Sequence, residues 1–146
     1  MARGDVTIFE EFLAYMIDGG WEAADDIKCG IVTNAVVPTA ADAAPDFADY
    51  TEVTDAGTYT AGGTSLGNLG TCVSEAGGTM TFDSATNPTW AQDASNGTTA
   101  YYAIIYNETD ANDLCIAFVD LGGPIDMSGG DLTITWGAAI FTIAAA

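Results

Sequence analysis

Histidine is absent, and only Arg3 and Lys28 carry a positive side chain. Without histidine no Ser-His or Cys-His pair can form, and most zinc and copper sites are ruled out. Two bases cannot neutralise a run of phosphates, so neither nucleic acid nor an anionic membrane surface is expected as a partner. No apolar run approaches the ~20 residues that a membrane-crossing helix needs. Glu10, Glu11 and Asp18 interrupt the apolar stretch near the N-terminus, so no secretory signal is expected there. The cysteines Cys29, Cys72 and Cys115 are far apart and show no C-x-x-C spacing. Their odd number argues against a disulfide framework, and their placement in apparent strands predicts buried free thiols.

What is abundant is negative charge. Against two bases stand 21 acidic residues, a formal net charge of −19 on 146 residues. Such a charge keeps copies apart and soluble. It also suits a partner with a basic patch, or surroundings rich in salt or divalent cations that screen it. The apolar fraction of 49% excludes intrinsic disorder. The length fits a single domain over 1–146, large enough to bury a core without staples.

The central feature is the stretch Thr99 to Gly123. Tyr101, Tyr102, Ile104, Ile105 and Tyr106 suit a pleated surface, and Leu114 to Val119 return as a second apolar run. Neither run alternates, which predicts a hairpin covered on both faces. Asn107, Glu108, Asp110, Asn112 and Asp113 read as a polar turn in water.

Before it, residues 1–4 read as a free arm and residues 5–18 as an amphipathic helix. Asp5 is the expected N-cap, Phe9, Phe12, Leu13 and Met16 form a core-facing stripe with Val6 and Ile17 beside it, and Gly19-Gly20 is the stop. A strand is predicted over 27–37. The Ala- and Asp-rich stretch Thr39 to Asp49, between Pro38 and a short edge strand at Tyr50 to Val53, reads as a long surface loop and a place to seek a contact. The glycines of Gly57 to Gly63 match no phosphate-binding loop and predict a turn or bulge. A hairpin is expected from Leu69–Ser74 and Thr79–Asp83, with Met80 and Phe82 inward. Trp90 is expected to plug the core. Gly122 to Gly130 reads as a loop across one end, and Leu132, Ile134 and Trp136 as the inward side of a further strand. The apolar Phe141 to Ile143 end needs a partner sheet. Seven or eight short strands between turns predict an all-β antiparallel β-sandwich, of Greek-key or jelly-roll type, with one short N-terminal helix.

Catalytic chemistry is hard to place. With 21 acids, close carboxylate pairs arise by chance, and spacing alone identifies no glycosidase dyad. No catalytic residue and no cofactor is predicted. The weak candidates for a metal are Glu108, Asp110 and Asp113, whose turn offers oxygen ligands for calcium but lacks the EF-hand pattern. An ordinary solvated turn is the favoured reading.

Several segments together carry a resemblance: I-V-T-N-A from Ile31, T-Y-T-A-G-G from Thr58, N-P-T-W-A from Asn87, A-Y-Y-A-I-I-Y-N-E-T from Ala100, L-C-I-A-F-V-D-L-G-G from Leu114, G-D-L-T-I-T-W from Gly130 and the F-T-I-A ending. They resemble a family of small virion structural proteins of tailed bacteriophages, with segments such as A-R-Y-A-V-I-Y, V-D-F-G and G-D-F-T-I-T-W, across essentially the whole chain. At Tyr101 this chain departs from the arginine of that pattern, which removes a basic group from the central strand. The resemblance implies a non-enzymatic capsid or tail component. The first expectation is a capsid decoration or cement protein on the outside of a virion, bound to the major capsid protein, since an acidic protein does not suit the side facing packaged DNA. The long glycine-rich and Pro/Ala loops predict a homo-oligomer, with a trimer favoured. The alternative is a tail component (tail tip, fibre or head–tail joining protein) with a host-binding or connecting role. A third is a carbohydrate-binding β-sandwich that uses Trp21, Trp90 and Tyr59 as stacking platforms.

Overall fold

The strand built from Ala100–Asn107 (β7) lies in the middle of a five-stranded antiparallel sheet, and its hairpin partner Cys115–Ile125 (β8) lies beside it. The structure is a computed structural model that describes residues 3–18 and 21–144. The Met1-Ala2 part of the predicted arm, the Ile17 side chain and the Gly19-Gly20 stop fall outside those residues.

The sheet order is β1-β8-β7-β2-β3, where β1 is Val6–Ile8, β2 is Asp26–Val32 and β3 is Thr64–Asn68. Val73–Ala76 (β4), Thr79–Phe82 (β5) and Phe141–Ala144 (β10) form a second sheet, and Thr89–Trp90 (β6) with Leu132–Thr133 (β9) a third. All pairings are antiparallel, so the fold is all-β and sandwich-like as expected. The predicted second layer comes as two small sheets rather than one. Continuous apolar sequence does mean cover on both faces: Ala103, Ile104, Ile105, Ile116, Ala117 and Phe118 are all fully buried.

Register shows what lies on each face. Gly30, Ile104 and Phe118 stand side by side on one, and Ile31, Ala103 and Val119 on the other. The first face is covered by the Pro/Ala segment. A 3-10 turn at Phe47–Asp49 lays the Phe47 ring flat on Tyr106, with centroids 4.3 Å apart at 4°. The ring fills the space over Gly30, where a Cβ would collide with it. Tyr50 packs near Phe9, which meets Phe118 at 5.0 Å. The predicted surface loop is therefore partly a lid. Its Ala-, Asp- and Pro-rich composition predicts exposure, and Phe47 is a lone aromatic within it. The two smaller sheets add Phe82, Trp90 and Leu132 to the same core.

Further expectations are corrected. Residues 5–18 are not one helix: Val6, Thr7 and Ile8 pair with Val119, Phe118 and Ala117, and the helix α1 spans Glu10–Asp18. A β-branched triplet is stiff at χ1 and prefers the pleat, although its spacing also fits the helical stripe. Asp5 is therefore not the N-cap, and Gly4 is not in a free arm, because its N–H donates to the Asp120 carbonyl at 2.7 Å. The strand predicted over 27–37 ends at Val32, leaving Val36 and Val37 exposed. Residues 69–72 form a four-residue helix, α2, so the hairpin starts at Val73. At the other end β8 runs on through Gly122–Ile125 where a loop was predicted, and only Leu132–Thr133 of the next predicted strand is paired. The edge pairing expected at 50–53 holds as a bridge between Glu52 and Val32.

Polar fasteners close the loops onto this frame. The Tyr59 hydroxyl accepts from the Ile31 N–H at 2.9 Å and donates to Glu52, which also accepts from the Gly62 N–H at 2.6 Å. Asn96, 4% exposed, joins three loops through Thr58, Ala91 and Met127. Burial, reinforced by the Glu52 carboxylate, pushes the Tyr59 hydroxyl far above its ordinary pKa, so it stays a neutral donor.

Candidate functional site

The acidic turn is the first place to examine, because the metal candidates lie there. Glu108 forms an ion pair with Lys28 at 3.0 Å. Asp110 accepts from the Asn112 N–H at 2.9 Å and closes its own turn. Asp113 has a left-handed backbone (φ 47°), and its carbonyl receives the Phe47 N–H at 3.2 Å. Partial burial, with Asp46 and Glu108 nearby, raises the Asp113 carboxyl above its usual range, against the pull of Lys28. The Glu108 and Asp110 carboxylates are thus engaged separately, and at Asp113 it is the backbone carbonyl that accepts. Among the described residues no group of three or more Asp, Glu, Cys or His is arranged to hold a metal ion. Nor is the whole turn in water: Asn107 is fully buried and donates through Nδ2 to Asp25 at 2.8 Å.

The thiols offer no nucleophile. Cys29, Cys72 and Cys115 are all free and buried, although Cys72 closes α2 rather than sitting in a strand. Burial pushes Cys29 up to about 12. It raises Cys115 as well, helped by Asp46 and Asp49. A thiolate is the reactive form. A disulfide reagent should therefore leave the native protein unmodified over minutes and titrate three thiols per chain only after unfolding. Rapid labelling of a thiol without unfolding would contradict this packing.

Two concavities among the described residues bear on function. The smaller, 170 Å³, lies where Arg3 and Gly4 cross the end of β8 beside Leu132 to Trp136. Its walls mix charged and apolar groups. The larger is a groove of 390 Å³ lined by Phe12 and Met16 of α1, Trp21, Ala23, Leu69 and Gly70 of α2, Val73 of β4 and Met80 of β5.

This groove follows from local sequence. Phe12 is the anchor of α1: it is 2% exposed, lies 5.5 Å from Trp21 and meets Phe141 edge-on at 5.9 Å. Phe141 in turn stacks on Phe82 at 4.8 Å. These ring contacts tie Phe12, a wall of the groove, into the core. On the far wall, Gly70 donates its N–H to the Ala23 carbonyl at 3.0 Å, and a Cβ there would lie 2.8 Å from the Ala23 side chain. Glycine thus lets α2 close against the segment after α1. Leu13 and Met16, predicted to be core, are 46% and 41% exposed. The helix is only nine residues long, so one turn holds the core contact and the rest of its apolar stripe lies open. Sequence spacing identified the stripe but not what it faces, and the contributions of Leu69, Val73 and Met80 come from elements distant in the chain.

Two exposed acidic residues adjoin the lining of the groove: Glu75 lies directly across the strand pair from Met80, and Glu22 sits between Trp21 and Ala23. Neither Lys28 nor Arg3 lines it. Of the proposed carbohydrate platforms, Trp90 and Tyr59 are buried at 4% and 1% exposure, which leaves Trp21, a wall of this groove. No family model, curated protein or solved structure matches the chain.

Proposed function

We propose that the chain is a non-enzymatic virion structural protein, a decoration subunit on the outer face of a capsid, held to the major capsid protein through the apolar groove beside α1. The observation that carries the binding role is the groove itself, an open apolar surface on a chain whose net charge is −19. A contiguous apolar patch left in water marks an interaction surface, as single exposed apolar residues do not. The virion setting rests on the resemblance in the sequence. The buried thiols fit a role without chemistry. Assembly on a three-fold axis of the lattice, as a trimer, is part of the same proposal.

The nature of the attachment can be tested with salt. Burying a Leu, Met or Phe side chain contributes about 1.5–3 kcal/mol and is not screened. An exposed ion pair contributes at most ~1 kcal/mol and is. Purified particles taken from low salt to about 1 M, where the Debye length falls to ~3 Å, should therefore keep the protein. Calcium chelation should not release it either. Release by salt alone would show that attachment is electrostatic, and a handful of copies confined to the tail would replace decoration with a tail role.

A further inference from the structure

We infer that the groove beside α1 receives apolar side chains from a segment of a different polypeptide that carries Lys or Arg on both sides of those residues. This rests on the reading that the groove is the attachment surface, and it names the chemistry of the occupant.

Three observations select it. Among the described residues the lining is Phe, Met, Trp, Ala, Leu, Val and Gly, and the Trp21 indole N–H is the one polar side-chain group in it. A small-molecule site ordinarily adds a few placed polar groups that fix orientation. This lining suits a hydrophobic anchor whose position is set from outside the groove. The two methionines, Met16 and Met80, stand on opposite elements, and their flexible thioethers adapt to the shape of such an anchor.

The rim sets the flanks. Glu22 and Glu75 border the groove, and the chain's two bases lie elsewhere, Lys28 on Glu108 and Arg3 against Gly122. The same groove of a second copy is therefore the wrong occupant. In a two-fold contact the same patch faces itself, so Glu22 and Glu75 would meet acidic partners, with −19 on each side. A segment with Lys or Arg flanks turns the same rim into an attraction, speeds encounter and rejects acidic competitors.

The test uses the full chain and three dye-labelled peptides: a Leu-Met-Phe core between lysine pairs, the same core between glutamate pairs, and a Gly-Ser core between lysine pairs. Anisotropy should show saturable binding of the first and at least about tenfold weaker binding of the other two. Met16→Gln keeps the helix and removes part of the wall. It should weaken the first peptide about tenfold with an unchanged unfolding midpoint. Val37→Gln, at an exposed valine that does not line the groove, should leave binding as it was.

Equal binding of the Gly-Ser peptide would reduce the effect to charge alone and overturn the inference. Equal binding of the glutamate peptide, or no binding of any, would do so too. A concentration-dependent dimer abolished by Met16→Gln would make a second copy the occupant. If none of the peptides binds but Met16→Gln still strips the protein from particles, the groove remains the attachment surface and only the proposed occupant falls.

Discussion

Phe47→Ala should lower the stability of the isolated protein by about 3–5 kcal/mol, the range for deleting a buried aromatic ring. The ring is 7% exposed, stacks on Tyr106 and covers Gly30, which has no side chain to refill the space. Its backbone is also fixed from both sides. Asp46 accepts from the Ala48 N–H, Asp49 reaches back to the Asp46 N–H, and the Phe47 N–H donates to Asp113. The cavity therefore cannot collapse easily. The urea midpoint checks this, and a loss below about 0.5 kcal/mol would show that the lid is not part of the core. Gly30→Val should also destabilise, because its side chain would enter the ring's space. Combined with Phe47→Ala it should cost less than the sum, since the two changes compensate in one volume.

Acid should loosen the same lid. Burial alone would raise the Asp42 carboxyl, but hydrogen bonds from Thr39 and Tyr50 hold it below its usual range. A folded-state pKa below the unfolded one contributes stability that is present above the unfolded value and lost as pH falls through the folded one. Asp42→Asn should therefore flatten the acid side of the stability profile.

Asn107→Leu should cost about 3 kcal/mol, above a typical surface change, because it strips a buried carboxylate of a donor. Asp25 is 7% exposed and accepts at Oδ2 from Asn107 and from the Glu22 N–H. The Thr109 N–H loses its acceptor as well. Asn107→Asp should be worse at neutral pH, since it puts two carboxylates within hydrogen-bond distance. One of the pair would then titrate with a raised pKa. Its penalty is complete above that pKa and relieved as pH falls through it. Unfolding curves at pH 7 and pH 5 should thus converge toward wild type for Asn107→Asp but not for Asn107→Leu. A parallel response would show that the Asp25 contact is not formed.

These residues mark where the sequence was and was not legible. An uninterrupted apolar run has one physical meaning in a strand, so the Ala100–Val119 hairpin could be placed at the centre directly. Alternation likewise gave the inward sides of Phe82, Leu132 and Ile134, all buried. Asn107 could not be read, because a polar residue beside a turn has the same composition whether it meets water or Asp25. Phe47 could not, because a lone aromatic in a polar loop carries no period. Val6 to Ile8 satisfied two periods at once, and the choice between them depended on a partner strand more than a hundred residues away. The groove combines both problems: its helical stripe was visible, its other walls came from distant elements, and only their assembly distinguishes an open face from a core one.

The most direct test is imaging of purified particles at a resolution that separates helix from sheet. The subunits should stand in many copies on the outer face of the shell, with α1 and the β4–β5 hairpin turned toward it and the groove between Met16 and Met80 occupied by capsid side chains. Subunits confined to the tail, or seated on the shell with that groove open to solvent, would contradict the account.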